Sequence, residues 1–272
     1  MSADFRFKQF TVRQEGAAMK VSTDAVLLGA AASVAGNEAN VLDIGTGTGV
    51  IALMIAQRLA AAGWSSAANA ADRTFHILGI DIDEGAAGCA SANFASSPWS
   101  GHLSARNISL ADFAAECTLT RHFDLIVSNP PYFDSSLENP DPNLALARHT
   151  GEMSYRDILE FAAGGPDITG TDSPDRAAGA LSGNGRLALI LPADELARLL
   201  RHGRFCGLFP SRILSIRTTP RKKPSRIIVE FTRKRSAALQ EDTLTLMDSN
   251  PASASGASRS EQYSSLTSDF YL

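Results

Sequence analysis

The chain has 272 residues, 44% of them hydrophobic and 20% charged, with a formal net charge of −4. That is the balance of a soluble globular protein with enough apolar residues for a sizeable core. No apolar run approaches the roughly eighteen residues of a membrane span, and the opening MSADFRFKQF lacks the apolar stretch of a secretory signal. Cys89, Cys117 and Cys206 are few and widely spaced, so they form no metal-like pair and read as reduced thiols of a cytosolic protein.

Residues 5 to 21 alternate in period two through Phe5, Phe7, Phe10 and Val12, and QEG breaks the pattern before AMKVS, which predicts a hairpin. TDAVLLGAAASV reads as a short apolar helix that Ser22, Thr23 or Asp24 can cap. From residue 40 the pattern becomes strand, turn, helix, repeated. NVLDIG is the first strand and TGVIALMIAQRLAAAG its helix; FHILGID is the second, followed by a helix over 84–95. ARNISL reads as the third strand and FDLIVS as the fourth. A helix near SYRDILEFAAG, a strand RLALILP and a helix DELARLLRHG complete the alternation, which implies a parallel sheet with helices on both faces. Strands over about 211–218 and 225–232 are joined by TPRKKP with no room for a helix, so they form an antiparallel hairpin at one sheet edge. Three stretches, 62–74, 164–185 and 249–260, are rich in Gly, Pro, Ser, Asp and Ala and read as inserted surface loops. The tail LTSDFYL is apolar again and is expected to dock on the body.

The net charge conceals an asymmetry. Residues 201–235 hold eleven cations against one acid, Glu230, so this segment carries +10 and the remainder −14. Such a stretch in an acidic protein points either to a localised polyanion site or to a solvated surface hairpin.

VLDIGTGTGV sets Gly45, Gly47 and Gly49 between a strand and a helix, where the backbone can turn tightly and approach a ligand. Position 50 is Val, which departs from the G-x-G-x-x-G dinucleotide fingerprint. With Asp43 leading, the pattern instead resembles the S-adenosylmethionine site of class I methyltransferases, where the acid lies near the methionine part. In ILGIDID, Asp81, with Asp83 behind it, stands where a strand-end acid accepts hydrogen bonds from ribose hydroxyls. In SLADF, Asp112 and Phe113 are candidates to bind the adenine amino group and cover its ring, and Asp112 reads equally well as a helix cap.

SNPPYF follows the fourth strand and brings Asn129 to the carboxyl edge of the sheet. Consecutive prolines fix φ and lack N–H groups, so the Asn129 side chain and the Pro130 carbonyl make two acceptors in a rigid frame, with Pro131 behind them and Tyr132 presenting a flat face. An exocyclic amine or an amide nitrogen is a poor nucleophile because its lone pair is delocalised. Two acceptors on its two hydrogens draw it toward a tetrahedral geometry and support the charge that develops in attack on a sulfonium methyl, while a stacked ring orients it. That chemistry requires no metal.

FRFKQFTVRQEGAAMKVSTDAVLLGA, ANFASSPWS, SNPPYFDSSLENPDPNLALARHT, RKKPSRIIVEF and LTSDFYL resemble, from about residue 5 to 272, the bacterial tRNA adenine-N6 methyltransferases that act at position 37, beside the anticodon of a valine tRNA. Three inserted loops interrupt the match, and those at 164–185 and 249–260 depart from that family's compact pattern. The resemblance implies a Rossmann-like α/β fold: a seven-stranded class I methyltransferase sheet, mostly parallel, with an antiparallel C-terminal edge hairpin and a small N-terminal hairpin. It implies one domain over 1–272, with a hairpin and helix over 1–39, a catalytic core over 40–235 and an extension over 236–272. Asn129 to Tyr132 would bind the target adenine, and Lys20, Thr23 and Asp24 would close over the pocket. Arg221, Lys222, Lys223 and Arg226, with Arg148 and His149 shortly after the corner, are the candidate RNA contacts. A cytoplasmic monomer with tRNA as partner, S-adenosylmethionine as cofactor and no metal or membrane is expected. Glutamine methylation in a release factor and guanine-N2 methylation in ribosomal RNA use the same kind of corner, and an RNA-binding module with a vestigial cofactor site is the non-enzyme alternative.

Overall fold

The computed structural model describes residues 4–62, 74–116, 122–131, 153–165, 179–248 and 258–271. Its centre is an eight-stranded sheet. From one edge the order is β5 (Leu103–Asn107), β4 (His76–Asp81), β3 (Asn40–Ile44), β6 (Phe123–Ser128), β7 (Leu181–Pro192), β9 (Arg226–Thr232), β8 (Phe209–Arg217) and β10 (Gln240–Thr245). Neighbours are parallel except at β9, which is antiparallel to both β7 and β8. The strand order reverses between β3 and β6, so a ligand crevice is expected outside the carboxyl ends of those two strands.

Apolar side chains alternate between two layers, one on each face. On β6, Leu125 and Val127 join the layer that holds residues of α1 (Thr23–Ala31), α2 (Val50–Ala61) and α3 (Glu84–Ala95). Phe123 and Ile126 join the other, with α4 (Leu110–Glu116), α5 (Tyr155–Ala163) and α6 (Leu196–Phe205). Burial on both faces is why these strands read as nearly continuous apolar runs. The short α1 is fixed at both ends: the Ser22 hydroxyl accepts from the Ala25 amide at 3.2 Å, and the Arg58 guanidinium donates to the carbonyls of Gly29 and Ala32 at 3.1 and 2.6 Å.

The N-terminal hairpin is shorter than its alternation predicts. β1 (Phe5–Arg6) pairs antiparallel with β2 (Thr11–Val12), and the turn is closed by the Phe7 amide on the Phe10 carbonyl rather than at QEG. β5 ends at Asn107, part-way through ARNISL, because Ser109 starts α4: its hydroxyl accepts from the Asp112 amide at 3.0 Å. S-x-x-D is a capping signature, and here it outweighs the apolar alternation of Ile108 and Leu110. The insertion expected over 164–185 ends sooner, since Leu181–Gly185 begin β7; 166–178 lie outside the described residues, as do 63–73. The insertion expected over 249–260 also ends sooner. β11 (Met247–Asp248) pairs with β12 (Ser258–Arg259), and Ser260 caps α7 (Glu261–Thr267) through the Tyr263 amide at 3.0 Å. β10 makes the eighth strand, parallel to β8 at the sheet edge.

The tail returns to the body. Phe270 is buried, its carbonyl accepts from the Lys8 amide at 2.8 Å, and Gln57 Nε2 donates to the Asp269 carbonyl at 2.9 Å. Tyr271 stacks on Phe7 with centroids 6.0 Å apart, joining the two ends of the chain. Phe270→Ala is expected to cost about 3 kcal/mol, through lost transfer energy plus a cavity. A urea titration checks it, as a lower midpoint at unchanged slope.

Candidate active site

A cavity of about 300 Å³ opens at the carboxyl ends of β3, β4 and β6. Its floor is the turn after β3, where Gly45, Gly47 and Gly49 take φ of +70°, +56° and +79°. These left-handed angles are strained for any residue with a Cβ. At Gly47 nothing lies within 4 Å of where a Cβ would stand, so the bare backbone faces open space in the cavity wall. Gly49 works in the other direction: a Cβ there would meet the Phe94 ring at 2.5 Å, so the glycine lets the start of α2 seat against α3.

Three polar side chains hold the turn. Asp43, fully buried below it, accepts from the Thr46 hydroxyl at 2.8 Å. Asp81, at the end of β4, accepts from the Gly47 amide at 2.9 Å with one oxygen and from the Asp83 amide at 3.0 Å with the other. Asn93 donates to the carbonyls of Thr48 and Arg13, each at 2.9 Å, and accepts from the Arg13 amide at 2.9 Å, tying the N-terminal segment to the turn. The Ser128 hydroxyl donates to the Ile44 carbonyl at 2.7 Å, which locks the ends of β3 and β6 side by side.

Of the residues proposed for the cofactor, Gly45, Gly47, Asp81 and Lys20 line the cavity, and Asn129 and Pro131 of the corner line it too. Pro130 is buried behind them. Asp43 and Gly49 lie beneath the turn and shape it. Asp112 and Phe113 fall outside the lining. Phe113 is buried among Phe123 and Phe161, and Asp112 is bound to Ser109, because α4 has already begun at Leu110. The neighbouring Ile108, Ser109 and Leu110 line the cavity in their place. Asp83 lines it and also caps α3 through the Ala86 amide at 2.6 Å. Thr23 is exposed on α1, and Asp24 accepts from Arg226 Nε at 2.7 Å. Tyr132, Arg148 and His149 lie outside the described residues.

Sequence reasoning missed Met19, Ile82 and Met153. Met19 and Ile82 are 62% and 58% exposed, and both stand on the rim of this cavity. Their signal was an apolar residue where the local chemistry calls for a turn residue, as in IDID.

The basic segment divides. Arg212 pairs with buried Glu230 at 3.0 Å, Arg217 donates to Thr245 Oγ1 at 2.9 Å, and Arg233 donates to the carbonyls of Leu181, Ala162 and Ala163. Those three arginines hold the fold together. Arg221, Lys222 and Lys223 remain exposed on the turn between β8 and β9. Arg226 is level with Pro192, just past Leu189, which is itself level with Ser128, so this turn lies on the same sheet edge as Asn129.

Burial pushes the Asp43 carboxyl from 3.8 up to about 7, although the Thr46 hydroxyl and the Ala52 amide pull it down and the Asp81 charge adds to the rise. A carboxyl raised in the folded state binds more protons there than in the unfolded chain. Its stability contribution is complete below the unfolded value and is lost as pH climbs through the folded one. From this group the chain should be about 2–3 kcal/mol less stable at about pH 7.5 than at about pH 5. Asp43→Asn should flatten that part of the profile, which urea unfolding at the two pH values measures.

Comparison with known proteins places this geometry. The Methyltransferase small domain family matches residues 21–148. The tRNA1(Val) (adenine(37)-N6)-methyltransferase of Bacteroides thetaiotaomicron is 37% identical over 268 residues, spanning 98% of this chain and 97% of that one. The protein of the same name from Porphyromonas gingivalis strain W83 is 38% identical over 271 residues, spanning 98% and 94%. Among solved structures, a predicted O-methyltransferase from Agrobacterium tumefaciens superimposes with a TM-score of 0.58 at 19% identity, covering 91% of this chain and 96% of that one, so the two share a fold. At this identity over nearly the full length of both chains, the protein belongs to the tRNA1(Val) (adenine(37)-N6)-methyltransferase family.

Proposed function

We propose that this chain methylates the N6 amino group of an adenosine in tRNA, at position 37 beside the anticodon of a valine tRNA, with S-adenosylmethionine as donor. One observation carries the reading: Asn129 and Pro131 line the same cavity as Gly45, Gly47 and Asp81. The cavity also fits the donor. Its floor is exposed backbone at Gly47, its strand-end acid is Asp81, and Ile82, Ile108 and Leu110 give apolar walls for a planar ring. When bound, S-adenosylmethionine supplies a sulfonium methyl. Asp81 would hold the ribose hydroxyls, and the backbone of the glycine turn would receive the methionine part.

The corner's own chemistry follows from its rigidity. The Asn129 side-chain oxygen accepts one hydrogen of the adenine amino group and the Pro130 carbonyl accepts the other, so the lone pair turns toward the cavity and the developing positive charge is met by fixed acceptors. Tyr132 stacks on the base and orients it. The methylated nitrogen then gives up its proton to water. Arg221, Lys222 and Lys223 on the same edge track the phosphates, which positions the RNA without reading its sequence. In this reading residues 1–272 act as one catalytic unit, a monomer in the cytoplasm.

Incubation with labelled S-adenosylmethionine and total tRNA lacking the modification, followed by nucleoside mass spectrometry, should give N6-methyladenosine in a valine tRNA. Label only in protein, or only in guanosine, overturns the assignment. Asn129→Ala should reduce turnover by at least about 10²–10³-fold with cofactor affinity almost unchanged, and calorimetry beside the turnover assay separates the two. Replacing Arg221, Lys222 and Lys223 together by Gln should weaken tRNA binding and reduce the slope of log affinity against log salt by roughly two, read from a filter-binding series.

A further inference from the structure

In the layer that also holds α4, the C-terminal ends of α5 and α6 bring three potential metal ligands together. Glu160 stands in the last turn of α5, His202 in the last turn of α6, and Cys206 caps that helix. The Cys206 amide donates to the His202 carbonyl at 3.0 Å, the i to i+4 contact that sets the imidazole and the thiol on one face of the helix end. His202 Nε2 and Glu160 Oε1 are 3.0 Å apart, and the carboxylate oxygen, the ring nitrogen and the sulfur all lie within 4.8 Å of one another.

We propose that Glu160, His202 and Cys206 form a zinc site that fastens α5 to α6. The donor set selects the ion. One imidazole nitrogen, one thiolate sulfur and one carboxylate oxygen suit a borderline-soft ion in tetrahedral geometry, with water in the fourth position, whereas Mg²⁺ and Ca²⁺ call for a shell of oxygens. Ligand atoms around tetrahedral zinc are separated by roughly 3–4 Å, so small side-chain rotations close the site. Access and enclosure are both present: the Glu160 side chain is 41% exposed and that of His202 19%, while Cys206 is fully buried against the apolar layer. On binding, the thiol proton leaves to solvent, and the proton on His202 Nε2 moves to Nδ1 or, from a charged imidazole, to solvent, so that zinc takes its place between the ring and Glu160. Arg233 donates to the carbonyls of Ala162 and Ala163 at the end of α5 and so holds the helix that carries Glu160. The consequence reaches the cavity, because α5 follows directly on Met153, which lines it and stands 3.3 Å from where a Gly45 Cβ would be.

This inference is independent of the methyl-transfer reading. The full chain, freed of metal by a chelator, is titrated with Co²⁺ and then with Zn²⁺. One equivalent of Co²⁺ should give the thiolate-to-cobalt charge-transfer absorption together with tetrahedral visible bands, and Zn²⁺ should displace it. His202→Gln and Glu160→Gln change partly exposed side chains in a chain that keeps its circular dichroism. Each should weaken Co²⁺ binding by more than the roughly 10–100-fold that follows loss of an outer partner of a metal ligand. Cys206→Ser should abolish the charge-transfer band. Zinc should raise the melting temperature of the native chain and not that of His202→Gln. The proposal is overturned by absence of the band, or by a band that survives in His202→Gln and Glu160→Gln and so belongs to another cysteine. Equal stabilisation of the native chain and His202→Gln by zinc overturns it as well.

Discussion

The turn after β3 is the constraint on which the carboxyl edge of this molecule depends. Three glycines with positive φ in five residues make a backbone that no other residue type follows without strain, and such a backbone needs to be held from outside. Asp43 holds it from below through Thr46, Asp81 from the neighbouring strand through the Gly47 amide, and Asn93 from α3 through Thr48. Each of these comes from a different element, so the floor of the cavity is assembled only when β3, β4 and α3 are all in place. Its shape is therefore a property of the whole fold.

The cost of that arrangement falls on Asp43. One of its oxygens has no hydrogen-bond partner among the described residues, and burial outweighs the bonds that it does make. A carboxyl in such a place is a poor choice for stability alone, since a neutral amide could accept from Thr46 equally well. In the proposed function, that carboxyl is the strong acceptor behind the glycine turn that serves the cationic donor.

Much of this was legible in the sequence because it rests on local rules. The glycine spacing, the aspartate at the end of FHILGID and the Asn-Pro-Pro corner each fix their own backbone, and β6 and α3 fall on the residues that their patterns indicate. What was not legible depends on competition between signals or on distant partners. Phe113 read as an aromatic lid because ARNISL read as a strand; one capping hydroxyl at Ser109 turned the chain early and sent the ring into the core. QEDTLT did not read as a strand because an exposed edge tolerates the acidic, polar residues that a buried strand excludes. Cys206 showed no metal spacing along the chain, since Glu160 lies on another helix and is brought to it only by the packing of α5 on α6.

The basic segment shows how composition misleads and then recovers. Eleven cations in 35 positions suggest one broad polyanion surface, yet Arg212, Arg217 and Arg233 are spent within the fold and Arg226 is paired with Asp24. An arginine held by a carboxylate or by several carbonyls contributes less to an external field than its charge implies, because its partner's charge or dipoles offset it. At the carboxyl end of the sheet the exposed cations are those of the turn at 221–223, while Arg201 and Arg204 are exposed on α6 and Lys234 and Arg235 beyond the end of β9. The turn stands at the same edge of the sheet as Asn129, and in the proposed function that places a small cationic feature beside the acceptor pair, where it can guide a phosphate chain. A diffuse +10 face would attract any polyanion in many orientations; in the proposed function, cations grouped on one hairpin favour the orientations that bring a base to the corner.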